Sequence, residues 1–127
     1  MKTIVKVPGT TVVLSAVAAG MLHACVSVPP ASTAYVSVYK SMGSVQCKAG
    51  GTSLSAMLRQ LSDAGIAVRD ASCGTDGRMR VAVCGAADGR IGIFNVAEAR
   101  LPAATAMGFA PLDSLPGASS VVCPPAP

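Results

Sequence analysis

The chain has 127 residues, of which 51% are hydrophobic and 13% charged, and its formal net charge is +4. This length is enough for one small domain. With two Tyr, two Phe and no Trp, the chain lacks the basic, aromatic-rich surface expected of a nucleic-acid binder, so no nucleic-acid partner is expected.

The chain begins with the layout of a signal peptide. Lys2 and Lys6 form a basic start, and an apolar stretch follows over residues 10–22. That stretch is shorter than the about 20 apolar residues that span a bilayer. It ends in a box that resembles the lipobox of bacterial lipoproteins: Leu22, His23, Ala24 and Cys25.

The resemblance to lipoproteins implies cleavage before Cys25, with residues 1–24 as the signal peptide and a lipid on the Cys25 sulfur. Residues 25–34 are rich in Ser, Thr, Pro and Ala and predict a tether. Val26 in place of Asp implies the outer membrane of a Gram-negative cell, on the periplasmic side or at the cell surface. Two alternatives stay open: cleavage at an ordinary signal peptidase site over residues 16–18, or an uncleaved anchor.

Processing at this position would change both the charge and the chemistry of the protein. It removes two of the ten basic residues and none of the six acidic ones, which lowers the net charge from +4 to +2. It also removes His23, the only histidine, so neither a Ser-His-Asp triad nor a His-ligated metal site can form. We therefore expect no enzyme activity, no cofactor and no metal.

Removing Cys25 also leaves an even number of cysteines. An oxidising periplasm or cell surface favours pairing of these residues into two disulfides. The remaining cysteines are Cys47, Cys73, Cys84 and Cys123.

A strand and a helix are predicted first in the mature chain. Residues 35–39 alternate between apolar and polar side chains, which is typical of a strand. Apolar residues then recur at helical spacing from Leu54 to Leu61. Thr52 or Ser53 can cap the start of this helix, and a glycine at position 65 can end it.

Three strands are predicted next, over residues 66–72, 79–83 and 91–96. Two Asp-Gly pairs separate them, one beginning at Asp76 and the other at Asp88. Asp and Gly tolerate the backbone conformations of tight hairpins, so we interpret both pairs as turns. The alternative, a metal or other binding role for the two carboxylates, would need more oxygen ligands at fixed spacing.

A second helix is predicted over residues 97–107. Asn95 and Glu98 have the spacing of a helix cap and its reciprocal partner, and Pro102 should kink or split the helix. Residues 113–127 show no periodicity and predict an extended tail.

This order of elements predicts an α+β fold. We expect a two-layer sandwich over residues 35–112, with a mostly antiparallel sheet in β-α-β-β-β-α order and two helices on one face. A right-handed crossover makes the strands that flank the first helix parallel, and each later hairpin reverses direction. Of three possible connectivities, this topology predicts Cys47–Cys73 and Cys84–Cys123.

Alternation along the predicted strand at residues 79–83 places Arg78 and Arg80 on an open sheet face. Arg69 and Arg90 are expected to join them. The face could bind anionic groups such as lipid phosphate or cell-wall carboxylate. The simpler interpretation, a solvated face that resists aggregation, is favoured because charged residues are expected on an exposed sheet without any ligand.

The order of elements and the glycine placement also resemble the SPOR family of peptidoglycan-binding domains. The segments concerned are residues 35–38, 54–68 and 80–83, and the helix closing on Gly108 and Phe109. The resemblance implies a βαββαβ fold whose sheet binds glycan strands, with Tyr35, Arg78 and Arg80 as contact residues.

Three functions therefore remain as hypotheses. The first is a non-catalytic outer-membrane lipoprotein that acts as an interaction or structural module, attached to the membrane by its lipid and bound to an envelope protein. The second is a peptidoglycan binder. The third is an inhibitor of an envelope enzyme, with the loops around Asp76 and Asp88 as contact sites.

Overall fold

A computed structural model describes residue 9, residues 33–48 and residues 50–125. The chain divides into two units, residues 1–30 and residues 31–127. The predictions for the signal peptide, for Cys25 and for most of the tether fall outside the described residues. Within the described part of the chain, no helix is long and apolar enough to cross a bilayer.

One five-stranded sheet and two helices form the second unit. The strand order is β4-β1-β3-β2-β5, and every neighbouring pair is antiparallel. The predicted α+β class with an antiparallel sheet is confirmed. In chain order the elements are β1 (Tyr35–Ser41), α1 (Leu54–Asp63), β2 (Val68–Thr75), β3 (Arg90–Ala97), a 3-10 turn (Glu98–Arg100), α2 (Leu101–Ala106), β4 (Ala110–Pro111), a second 3-10 turn (Leu112–Ser114) and β5 (Ser119–Val121).

Strand β3 lies between β1 and β2 and is antiparallel to both. β1 and β2 therefore run in the same direction, as the predicted crossover through α1 requires. Together with α2 and β4 this gives the split β-α-β arrangement of ferredoxin-like folds, to which β5 adds an edge strand.

Both ends of helix α1 follow from its sequence. The Ser53 hydroxyl accepts a hydrogen bond from the backbone N–H of Ala56, so Ser53 is the cap. Gly65 has φ +71°, and the N–H of Ile66 donates back to the Leu61 carbonyl, which closes the helix. Between these ends, Met57 and Leu61 are buried against the sheet.

Proline splits the second predicted helix. The 3-10 turn ends at Arg100 and α2 begins at Leu101, with Pro102 in its first turn, where its missing N–H costs nothing. The predicted cap is wrong, because Asn95 lies in β3, and its side-chain amide donates instead to the Ser37 hydroxyl.

The main core lies between the sheet and both helices. Phe94 and Phe109 meet edge to face, with ring centroids 5.6 Å apart. Because α1 and α2 contribute to the same buried cluster, both helices lie on one face, as predicted. The fully buried members include Val38, Met57, Leu61, Ile66, Val96 and Ala104.

The opposite face of the sheet is partly covered, which differs from the open face expected. Ile91 and Ile93 form a second small core with Leu115. Residues 112–118 lie over this face, and β5 then pairs with β2. The segment predicted as a tail after residue 112 is therefore built into the domain, since it covers apolar surface and extends the sheet.

The strand predicted at residues 79–83 does not form. Residues 76–89 are instead one long connection between β2 and β3. The pairing of these two strands ends with Thr75 opposite Arg90. The observed order consequently has one strand fewer before α2 and two short strands after it. We call residues 76–89 the β2–β3 loop.

Candidate functional site

The β2–β3 loop begins and ends with the same turn. The Asp76 carboxylate accepts a hydrogen bond from the backbone N–H of Arg78 at 3.1 Å, and Asp88 accepts from the N–H of Arg90 at 3.0 Å. The glycine after each Asp has a positive φ, +67° and +79°. The prediction of two Asp-Gly hairpin turns is wrong, because the two pairs instead form side-chain-to-backbone turns at the two ends of a single loop.

The segment just after β1 holds the loop in place, and Gln46 makes most of the bonds. Its backbone N–H donates to the Ala86 carbonyl at 2.8 Å, and its carbonyl accepts from Gly85 at 3.0 Å. Its side-chain amide donates to the Val81 carbonyl at 3.0 Å. The first part of the loop, at Val81, and its returning part, at residues 85–86, are therefore both fixed to Gln46.

A disulfide between Cys47 and Cys84 reinforces these bonds, and a second joins Cys73 to Cys123. The predicted pairing of Cys47 with Cys73 and of Cys84 with Cys123 is wrong. It assumed a strand at residues 79–83 that would carry Cys84 to the far end of the sheet. Without that strand, Cys84 stays at the same end as Cys47.

The first part of the loop is exposed throughout, and one of its arginines contacts the base of the loop. Arg80 turns back along the loop, and its guanidinium donates to the Asp76 carboxylate. On either side of it, Met79 is fully exposed and Val81 is 76% exposed, and Val83 further along is 54% exposed. The loop thus presents apolar side chains to solvent, while Arg80 ties its first part to the base of the loop at Asp76.

Asp88 fixes the other end of the loop through its charge. Burial acts to raise the pKa of its carboxyl, but the backbone N–H of Arg90, the Ser44 hydroxyl at 2.8 Å and the Arg90 guanidinium favour the charged form. The pKa of Asp88 consequently lies below its usual value. The ionised carboxylate is thus part of the structure at neutral pH.

The predicted binding face is not assembled. Arg78 and Arg80 lie in the β2–β3 loop, and Arg90 pairs with Asp88. Tyr35 pairs with the last residue of β3, at the end of the sheet away from Arg90 and on the order of 20 Å from it. These four residues therefore do not form one surface.

Sequence reasoning missed Gln46 and Ser44. Neither belongs to a motif, and their contacts are with residues 35 or more positions away along the chain. The position of Gln46 beside Cys47 was the only local signal. Among the described residues, no group of three side chains of the types that ligate metals lies close enough to hold an ion.

No family model matches this chain, and neither the curated proteins nor the solved structures compared with it include a match.

Proposed function

We propose that this chain is a non-catalytic lipoprotein of the bacterial outer membrane, and that its small disulfide-bonded domain binds a protein of the cell envelope through the β2–β3 loop. The lipobox resemblance at Cys25 supports the anchor. The observation that carries the contact is the exposure of Met79 and Val81 on a loop that a disulfide and several hydrogen bonds hold in place.

The exposure of two neighbouring large apolar side chains favours a partner. Burial of apolar surface gains about 25 cal/mol per Å², and Val96 in β3 is fully buried while Met79 and Val81 remain exposed. A large exposed apolar patch on a folded domain commonly marks a binding site. Because the loop is already fixed, binding would cost little loss of conformational entropy.

The anchor has its own test. Globomycin, which blocks lipoprotein signal cleavage, should cause the unprocessed chain to accumulate, and Cys25→Ala should abolish lipid labelling. If Cys25→Ala is processed and membrane-bound to the same extent as the wild type, the lipoprotein assignment fails.

The contact is tested by photo-crosslinking in cells. A photoreactive residue in place of Val81 should form a discrete adduct, whereas the same residue in place of Leu58, a partly exposed position on α1, should not. The purified partner should then bind the wild type and lose about tenfold in affinity to Met79→Ser/Val81→Ser. Equal adducts at both positions, or unchanged affinity, would reject the loop as the contact.

Glycan binding remains as a second proposal, and one observation favours it. On the uncovered part of the outer sheet face, the Arg69 guanidinium lies 5.0 Å from the centroid of the partly exposed Tyr35 ring. Such a ring could stack on a sugar. Co-sedimentation with purified cell wall that is lost in Tyr35→Ala but kept in Met79→Ser would favour this function over loop-mediated protein binding.

A further inference from the structure

We infer that the β2–β3 loop is a substrate-like ligand for the cleft of an extracytoplasmic endopeptidase, with Met79 as the side chain that enters an apolar primary specificity pocket. The inference rests on the proposed function and names the class of the partner. It extends the role of the loop from binding to inhibition.

The first support is the exposure of Met79 and of its near neighbour Val81. Arg80 points back to the carboxylate of Asp76, while Met79 and Val81 on either side of it project into solvent. A peptide bound in an enzyme cleft likewise places exposed side chains in the pockets of the enzyme. Met79 is the most exposed of the large apolar residues described.

The second support is the state of the backbone at this point. Among the hydrogen bonds of the described residues, none uses the N–H or the carbonyl of Met79 or Arg80. These groups are therefore available to pair with the edge of a cleft, as an added strand would. The neighbouring groups are already used, since Arg78 donates to Asp76 and the Val81 carbonyl accepts from Gln46.

The third support is that the loop is fixed on both sides of Met79. Asp76 holds Arg80 on one side, while Gln46 and the Cys47–Cys84 disulfide hold the returning limb. A rigid loop of this kind binds without the ordering cost of a flexible peptide. After one cut the new ends would stay close together, which favours inhibition over turnover.

The chemistry of the loop favours an apolar protein pocket over a lipid bilayer. It carries no aromatic residue, whereas segments that insert into the membrane interface typically use Trp, Phe or Leu on the apolar face. Arg80 is occupied by Asp76 and Arg90 by Asp88, which leaves Arg78 as the arginine of this region without an ion pair among the described residues. The long, unbranched and adaptable side chain of Met79 suits a deep apolar pocket.

The test uses the full chain purified in detergent, with chymotrypsin, elastase and subtilisin as apolar-pocket probes and trypsin as the basic-pocket probe. The wild type should inhibit at least one apolar-pocket enzyme at near-stoichiometric concentration. Met79→Lys should lose at least 100-fold against that enzyme and gain at least 100-fold against trypsin, because residue 79 sets specificity through the pocket.

Val83→Lys is the matched control, since it adds the same charge to the same loop at a position outside the proposed pocket. It should leave both inhibition constants within about threefold of the wild type. Equal effects of the two lysine variants, no inhibition by the wild type, or digestion of the loop at the rate of an unfolded peptide would each overturn the inference. Circular dichroism and intact disulfides establish that each variant is folded.

Insertion of the loop into a bilayer can be measured separately by Trp fluorescence, because the chain contains no Trp of its own. Met79→Trp provides a single fluorophore on the loop. Unchanged emission on addition of phosphatidylethanolamine and phosphatidylglycerol vesicles is expected, and a blue shift would overturn the inference in favour of a lipid surface. A crosslinked partner that depends on the loop but is not an endopeptidase would also overturn it, while leaving the proposed function intact.

Discussion

The β3 strand and the β2–β3 loop contain similar sequences in opposite environments. In β3, Ile91, Ile93 and Val96 are buried, whereas Val81 and Val83 in the loop are exposed. The loop sequence alternates like a strand over residues 79–83, while β3 is apolar and buried on both of its faces. The sheet is held by apolar burial, and the loop by individual hydrogen bonds, an ion pair and a disulfide. A β-prone sequence is therefore a strand only where a partner strand and a core are available to it.

Removing each disulfide in turn should give the largest difference in free energy of unfolding between the loop and the sheet. Chain entropy alone predicts nearly equal losses, about 3.8 kcal/mol for Cys47–Cys84 and about 4.1 kcal/mol for Cys73–Cys123, from separations of 37 and 50 residues. Cys47 has φ +64°, and holding a non-glycine residue in this conformation costs about 1–3 kcal/mol. This cost offsets part of the stability that the Cys47–Cys84 disulfide contributes. Cys73 is buried in the core.

We therefore expect Cys73→Ala/Cys123→Ala to lose more free energy of unfolding than Cys47→Ala/Cys84→Ala, by about 1–3 kcal/mol. Urea unfolding at neutral pH measures both. The paired substitutions avoid a free thiol that could exchange. Equal losses would mean that the loop disulfide supports the domain as strongly as the core one.

A Val→Ala substitution should lower the free energy of unfolding by about 2 kcal/mol more in β3 than in the loop. Val96→Ala removes two buried carbons and leaves a cavity, at about 0.8 kcal/mol per carbon plus the cavity term. Val81→Ala removes exposed carbons and should change stability by less than about 0.5 kcal/mol. Thermal unfolding of both variants measures the difference. A large loss in Val81→Ala would show that the loop side chain packs on the domain.

Alanine substitutions at a glycine in the base of the loop and at one in its middle should separate the cost of a steric clash from the cost of backbone strain. Gly77 and Gly85 both have positive φ, +67° and +91°. A Cβ at Gly77 would collide with the backbone of Gly117, whereas one at Gly85 meets open space. Gly85→Ala should cost about 1 kcal/mol from conformation alone, and Gly77→Ala about 1–2 kcal/mol more.

Urea unfolding of the two variants provides the measurement. If both variants lose the same free energy of unfolding, the clash with Gly117 is relieved by a backbone shift that costs no stability.

The smallest effect should come from Asp88 and should depend on pH. Its pKa is lowered in the folded state, so its contribution is present above the unfolded-chain value of 3.8 and is lost as pH falls through the lower folded value. Wild type should exceed Asp88→Asn in stability at pH 6, and the difference should shrink at pH 3. Asp63→Asn, at an exposed helix end, is the control for removal of a carboxylate. A difference that does not change with pH would exclude the charge as its cause.

Local signals in the sequence were enough to predict several elements. Helix α1, its Ser53 cap and its Gly65 end follow from spacing and from backbone preferences within a few residues. The split at Pro102 follows in the same way from the missing N–H. Such features depend on neighbours along the chain, which a single sequence displays.

Features that depend on distant partners were not predictable from the same signals. Residues 79–83 satisfy the alternation of a strand, but β3 already has β1 and β2 as its neighbours. The expected strand also determined the expected disulfides, because one extra reversal moves Cys84 to the opposite end of the sheet. The cover over Ile91 and the role of Gln46 likewise arise from contacts far apart in sequence.

The disulfide pairing also determines what happens when the loop is cut. In sequence order the two bridges overlap, since Cys73 lies inside the ring closed by Cys47–Cys84, and Cys84 lies inside the ring closed by Cys73–Cys123. A cut after Met79 leaves Cys47 and Cys73 on one fragment and their partners Cys84 and Cys123 on the other, so both bridges join the fragments. The cut protein should therefore migrate as one species until it is reduced, and the domain is built to survive cleavage at its most exposed point.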